Sequence, residues 1–477
     1  MSTLSLQADN YHEVRVSGRR VLFHIPTTAL YELDEVTGAV LDLFREHPQV
    51  GAEDVRRRFD GAFPAERVVE ALCDLRDLQI VADPARRAEA TPLPAPERFP
   101  LSTLVLNVNT GCNLSCTYCY KEDLATPARG RKMDLATAER SIDLLLREGA
   151  EHDRVTVVFF GGEPLSNLPM IRGAVDYAER RAAAAGKRVD FSITTNGTLL
   201  DEATIDYLDA HGFSVAVSMD GPRALHDKRR LTVGGRGTYD TVARKVRMLL
   251  DRYRARPVGA RVTLTSGVTD VVAIHQHLRE ELGFHEVGFA PVTSGAVTQF
   301  NLGTDELAEV FAGFRALGER YLAAALGGGN TGFSNMHQMM TDLWRGTRKA
   351  LPCGAGVGML AVDKDGELNL CHRFTGSSLP TFGNVTDGIA RERLGSFIAQ
   401  AADRSGRGCA TCHIRNLCAG GCYHESYARY GDPLKPTYHY CDLMRDWIDF
   451  GIDVYTRLLA GNPGFFERHI EPRRRSH

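Results

Sequence analysis

The segment "NTGCNLSCTYCYKED" places Cys112, Cys116 and Cys119 in a CxxxCxxC spacing. No other stretch constrains the chain as much. A structural zinc takes four ligands, commonly offered as CxxC pairs. A cubane iron–sulfur cluster also takes four thiolates, one per iron. A cubane held by three cysteines keeps one iron open, and an open iron can bind a small chelating ligand and pass it an electron. The other reading is a zinc or iron–sulfur site whose fourth ligand comes from elsewhere in the chain.

Eleven cysteines in 477 residues are too sparse for a disulfide scaffold. Ten fall into three groups, and Cys73 stands alone. The start "MSTLSLQADNYHEV" has no apolar signal core, so export is not expected and the clustered cysteines read as metal ligands. Cys73 sits on the apolar helical pattern of "ERVVEALCDLRDLQIV", which predicts a place in the core. A net charge of −3 gives no reason to expect nucleic acid as a partner. No window approaches the roughly 20 apolar residues that span a bilayer, so no membrane is expected and the location is predicted to be cytoplasmic. The basic run Arg473, Arg474, Arg475 reads as a solvated tail.

Residues 1–82 read as a small separate domain. "HEVRVSG" and "RRVLFHI" alternate around Ser17-Gly18 as a β-hairpin does, and helices are predicted to begin near Asp34, Ala52 and Pro64, with Asp34 as an N-cap. A short strand "LQIV" closes this winged-helix-like unit. Residues 83–100 are proline-rich and read as a linker. From 101 to 296, "STLVLNVN", "RVTVVFF", "RVDFSITT", "FSVAVSM", "ARVTLT" and "EVGFA" alternate with amphipathic helical stretches. Six such units predict an α/β fold with a parallel sheet curled into a partial (β/α)6 barrel, whose ligands gather at the carboxyl ends of the strands. Residues 297–350 read as a helical connector, 351–445 as a cysteine-rich domain, and 446–477 as a closing helix and tail.

With these motifs in place the sequence resembles the radical S-adenosylmethionine (SAM) enzymes. Their hallmark is CxxxCxφC with an aromatic before the last cysteine, here Tyr118. The resemblance implies that the amine and carboxylate of SAM chelate the open iron of a [4Fe-4S] cluster on Cys112, Cys116 and Cys119, and that SAM is cleaved to a 5′-deoxyadenosyl radical. Gly161, Gly162 and Glu163 in "FFGGEP" resemble the motif that binds the SAM amine, glycines there allowing close backbone approach. Ser192, Thr194 and Asn196 in "SITTNGTLL" fall near the expected ribose. Ser218 and Arg230 in "VSMDGPRALHDKRR" match a pair that holds the SAM carboxylate, a task suited to the planar fork of arginine.

The second cysteine set reads C-x12-G-x4-C, then C-x2-C-x5-C-x3-C, then a lone cysteine. It resembles the SPASM domain of the same enzymes, which holds two auxiliary [4Fe-4S] clusters. By position, Cys353, Cys371 and Cys422 would hold the inner cluster, and Cys409, Cys412, Cys418 and Cys441 the outer. Seven thiolates leave one place unfilled, because the position where some relatives carry an eighth is Met359. Where some relatives carry an aspartate base this chain has His372, a weak candidate for that role.

Taken whole, the chain resembles the maturases of quinohemoprotein amine dehydrogenase. That resemblance implies SAM and three [4Fe-4S] clusters as cofactors, an external electron donor, and a small polypeptide substrate bound through the N-terminal domain. The reaction implied is Cys-to-Asp/Glu thioether formation within that polypeptide. The alternatives are an α-carbon thioether synthase acting on a small cysteine-rich peptide, and a sulfatase maturase forming formylglycine from Cys or Ser. A peptide-binding iron–sulfur electron carrier is the non-enzymatic reading.

Overall fold

The computed structural model describes residues 3–84, 99–119, 130–292, 298–403, 408–435 and 439–470. The basic run Arg473–Arg475 and all but the ends of the proline-rich segment lie outside them. Among the described residues no helix is long and apolar enough to cross a membrane.

The N-terminal residues form two small sheets and three helices. Strands β1 (Thr3–Leu6), β5 (Gln49–Gly51) and β6 (Val81–Ala82) pair in the order β5-β1-β6, and β2 (Tyr11–Val16), β3 (Arg19–His24) and β4 (Ala29–Glu32) in the order β2-β3-β4. The β2–β3 turn has positive φ at both Ser17 (49°) and Gly18 (82°), the backbone a two-residue hairpin loop requires. Helix α1 (Glu35–Glu46) starts where Asp34 accepts a hydrogen bond from the Thr37 amide at 2.7 Å. Helices α2 (Ala52–Arg58) and α3 (Ala65–Asp77) follow. On α3 the buried residues are Val68, Ala71, Leu72 and Leu75, the i, i+3, i+4, i+7 stripe of an amphipathic helix. Cys73 falls off that stripe and is exposed, which corrects its expected place in the core.

Strand β3 packs into a core on each of its faces. Leu22 joins Val40, Leu41 and Phe44 in the N-terminal core, whereas its neighbours Phe23 and Ile25 belong to the main core of the protein. Here the N-terminal unit is docked. His12 on β2 and His413 each meet Asp449 of the closing helix (Cys441–Gly461) at 3.2 Å, and their rings stack at 3.9 Å. Arg415 donates to the Asp9 carbonyl and Asn416 to that of Ile25, both at 2.7 Å. Burial raises the Asp449 carboxyl, but the hydrogen bonds from His12 and His413 outweigh it and bring it down to about 2. A lowered carboxyl stabilises the fold at pH values above its unfolded value of about 4, and this support is lost as pH falls through about 2. Asp449→Asn should therefore cost about 1–2 kcal/mol of docking at neutral pH. Faster hydrogen exchange along β2, with barrel strands unchanged, is the expected readout.

The barrel strands β7 (Thr103–Asn109), β8 (Arg154–Gly161), β9 (Arg188–Thr195), β10 (Ser214–Ser218), β11 (Gly259–Leu264) and β12 (Glu286–Pro291) run parallel, each beside the next. Their strict alternation sends Val155, Val157, Phe159, Ile193, Val217, Val262 and Phe289 into the apolar core against the surrounding helices. The opposite, concave face carries Asn107, Phe160, Ser192, Thr194, Ser218, Arg261 and Gly288, as the pairings Asn107↔Phe160, Val158↔Ser192, Ala216↔Thr194, Ser218↔Arg261 and Arg261↔Gly288 require. The sheet continues past β7. Strand β13 (Met359–Val362) pairs parallel to β7, and β14 (Leu368–Asn369) pairs antiparallel to β13, giving eight strands in the order β12-β11-β10-β9-β8-β7-β13-β14. Connector helices Thr304–Leu326 and Ser334–Trp344 pack on the closing helix.

Candidate active site and metal centres

The first cysteine loop leaves the carboxyl end of β7. It is fixed to the segment after helix Arg223–Arg229 by the Ser115 amide donating to Leu231 O (2.8 Å) and the Thr117 amide to Arg229 O (3.0 Å). Gly161 and Gly162, at the end of β8, lie directly against the start of this loop. A Cβ on Gly161 would stand 2.4 Å from Asn109 O, and one on Gly162 2.0 Å from Gly111 O. The close approach these glycines permit is thus one backbone on another, and it sets the cysteine loop on the strand end.

Glu163 is fully buried behind them. Its carboxylate accepts from the Leu165 amide (3.0 Å), Thr195 Oγ1 (2.7 Å) and the Asn196 amide (2.8 Å), so it ties the end of β8 to that of β9. Burial pushes its carboxyl up to about 7 despite these bonds. The Asn196 side chain reaches Asn113 Oδ1 at 2.9 Å and Cys112 Sγ at 3.6 Å. Ser192, Thr194 and Ser218 sit on the concave face, and among the described residues their hydroxyls have no hydrogen-bond partner in the chain.

Arg230 is 7% exposed and bonds the fully buried Asp220 through Nε (2.7 Å) and Nη2 (3.2 Å). Asp220 also accepts from Tyr118 Oη (2.8 Å) and from the Thr263 amide (2.9 Å). The pair therefore fastens the aromatic of the cysteine loop to strands β10 and β11. Sequence reasoning passed over Asp220, although its place in "SMDGP" just beyond a strand's carboxyl end was the available signal. His226 braces the same turn: it meets Thr238 Oγ1 at 2.9 Å, and burial lowers it to about 4, so it is neutral at physiological pH.

The thiols gather in three sets. Burial pushes Cys112 up to about 11 and Cys116 to about 12, with Cys119 beside both adding to the rise. Burial likewise takes Cys371 to about 12, with Cys422 and Cys353 as its negative neighbours. Cys418 stands at about 11, raised by burial and then by Cys412, Cys441 and Cys409. All the cysteines are described, and no three sulfurs lie within 4.8 Å of one another. A tetrahedral zinc, at about 2.3 Å per sulfur, draws its thiolates to within about 4 Å. Among the described residues, His12–His413–Asp449 is the one group of three ligand atoms that does close to 4.8 Å. Met359 opens β13 opposite Thr103.

His372 follows Cys371 directly, and its ring lies 4.2 Å from that of Phe160 on the concave face. Thr375 in the same turn bonds Asn107 on that face. The cysteine-rich region thus delivers an imidazole to the strand face that also carries Ser192, Thr194 and Ser218.

Comparison with known proteins gives the same architecture. Residues 106–277 match the family model of the radical SAM superfamily. The serine-type anaerobic sulfatase-maturating enzyme of Klebsiella aerogenes is 28% identical over 353 residues, 71% of this chain and 84% of that protein. Among solved structures, native anSMEcpe with bound AdoMet matches with a TM-score of 0.65 at 22% identity, covering 76% of this chain and 100% of that one. Streptococcus suis SuiB bound to the precursor peptide SuiA matches with a TM-score of 0.50 at 15% identity, covering 92% of this chain and 99% of that one.

Proposed function

With a radical SAM domain over residues 106–277 as premise, we propose that this chain oxidatively modifies a residue of a polypeptide substrate. The observation that carries the reading is the concave strand face. It is bordered by the three-cysteine loop at its carboxyl end, lined by unpartnered hydroxyls, and covered by the His372 turn. Cys112, Cys116 and Cys119 would hold a [4Fe-4S] cluster, and SAM bound there would supply a hydrogen-abstracting radical. Ser192 and Thr194 would take the ribose hydroxyls. Ser218 and the spare Nη1 of Arg230 would take the carboxylate, and the Gly161–Glu163 turn the amine. Two further clusters on the seven cysteines of the C-terminal region would receive the electron that such an oxidation releases. His372, whose ring packs on Phe160 of this face, would accept the accompanying proton.

Of the specific reactions, similarity across 71% of the chain favours the sulfatase-maturase type, oxidation of a Cys or Ser side chain to formylglycine. Thioether formation between Cys and Asp or Glu, as in the small subunit of quinohemoprotein amine dehydrogenase, is the second reading. It is favoured by the N-terminal unit, whose outer strand β4 has no second strand neighbour among the described residues and can take an extended leader peptide by strand addition. Mass spectrometry of candidate polypeptides after anaerobic turnover decides between them. Formylglycine made from cysteine loses the sulfur and gains a hydrazide-reactive aldehyde. A thioether keeps the sulfur, loses a pair of hydrogens and blocks alkylation. If both polypeptide types stay unmodified while SAM is cleaved, the polypeptide reading falls.

A further inference from the structure

Beyond the residues with a proposed part in SAM binding, the concave face carries one side chain whose chemistry nothing so far uses. Arg261 sits at the centre of β11, in register with Ser218 on one side and Gly288 on the other. Its strand neighbours Ala260 and Val262 point the other way, into the core. The other arginines near this face have carboxylate partners: Arg154 and Arg256 share Asp190, and Arg230 has Asp220. Arg261 bonds through its backbone, as in Met219 N–H donating to Arg261 O at 3.1 Å, but among the described residues its guanidinium makes no hydrogen bond or ion pair. Its guanidinium lies over Gly288, where a Cβ would stand 2.7 Å from Nη1 and 3.6 Å from the Ser334 Cβ. The bare glycine opens the space the fork occupies.

That fork faces a cavity of about 420 Å³, lined also by Glu286 and Phe289 of β12 and by Asn335 and Gln338 of the helix that closes the β12 edge. Asn335 is held rigidly, its amide bonding both the N–H and the C=O of Phe289 at 3.0 Å. The cavity is thus preformed and mostly polar, and the solvent-exposed guanidinium in it makes no ion pair with Glu286, the carboxylate that also lines it. A planar guanidinium in a partly enclosed site selects a carboxylate, which accepts two parallel N–H bonds from it.

We propose that Arg261 is a specificity-determining residue that binds a carboxylate of the substrate, an acidic side chain of the polypeptide, in the cavity between β11, β12 and helix Ser334–Trp344. This rests on the reading of the chain as a polypeptide-modifying enzyme. The methionine carboxylate of SAM has the same chemistry, and the test separates the two sources.

The test uses cluster-loaded enzyme with SAM and small probes: capped aspartate and glutamate (acetyl-amino acid-amides) and their neutral asparagine and glutamine counterparts. Binding is read by saturation-transfer NMR, and SAM affinity by equilibrium dialysis. The wild type should bind the acidic probes at least tenfold better than the neutral ones. Arg261→Gln should abolish that preference while leaving SAM affinity within twofold and the thermal midpoint unchanged, because the guanidinium has no partner among the described residues to lose. Arg261→Lys should restore part of the preference, and Gly288→Ala, which crowds the fork, should weaken it. A tenfold loss of SAM affinity in Arg261→Gln would assign the arginine to SAM instead. No preference for acidic probes in the wild type overturns the subsite, whatever becomes of the polypeptide reading. Acidic-probe binding with no polypeptide ever modified overturns that reading and leaves the subsite standing.

Discussion

Replacing Cys112, Cys116 and Cys119 together by Ala should reduce 5′-deoxyadenosine formation to background while leaving roughly two thirds of the iron in place, at four irons per cluster. The structure argues that the loss will be confined to one centre. Neither Cys112 nor Cys116 has a cysteine of the other two sets among the charges that shift it. The loop itself is held by groups the substitutions do not touch, the Ser115 and Thr117 amides on Leu231 and Arg229 and the Leu114–Thr232 bridge. Three half-buried thiols become three methyls, a small change in volume. The expected result is a folded protein with auxiliary iron and no SAM cleavage. Deoxyadenosine production by the triple variant would remove the cluster assignment, and loss of all the iron would mean that the three centres assemble as one.

The parts of this molecule that could be read from its sequence are those set by local rules. Short apolar runs separated by amphipathic helical stretches marked all six barrel strands, and a helical stretch with Asp34 ahead of it marked α1. The cysteine sets were legible because thiol spacing is covalent information. What escaped was set by partners distant along the chain. Strand β1 has three pairs to β5 and two to β6, and neither of those is long enough to show a pattern alone. Strands β13 and β14 read as part of a cysteine-rich region, yet they extend the barrel sheet, because their pairing edge is supplied by β7 more than 250 residues earlier. Cys73 was misplaced because a helical stripe leaves some apolar residues outside it. The docking of β2 on the closing helix was invisible because His12, His413 and Asp449 are each unremarkable in their own segments. Asp220 was missed for a related reason: its partners Tyr118, Arg230 and Thr263 lie in three separate stretches and meet only in the fold.

Arg230→Ala should have a second large effect, and the geometry changes what it must mean. As a pure contact to the SAM carboxylate, the arginine would be expected to affect affinity alone. As the partner of a fully buried Asp220, it leaves an uncompensated charge behind when it is removed, a loss of about 3–5 kcal/mol. Asp220 also holds Tyr118, so the cysteine loop should loosen, and cluster content should fall together with the thermal midpoint. A drop in SAM binding by this variant alone therefore proves nothing about contact. The double variant Arg230→Ala/Asp220→Asn separates the roles. Asparagine keeps an acceptor for the Thr263 amide but carries no charge, so most of the lost stability and the cluster content should return. SAM affinity should not return, because only Nη1 of Arg230 makes no bond to Asp220, and that nitrogen is the group proposed to meet the ligand. A charge-assisted hydrogen bond lost there corresponds to about tenfold or more in the dissociation constant. Restored stability with restored SAM affinity would make Arg230 a bracket for the cysteine loop and nothing more. Restored stability with affinity still down would place its free nitrogen on the ligand.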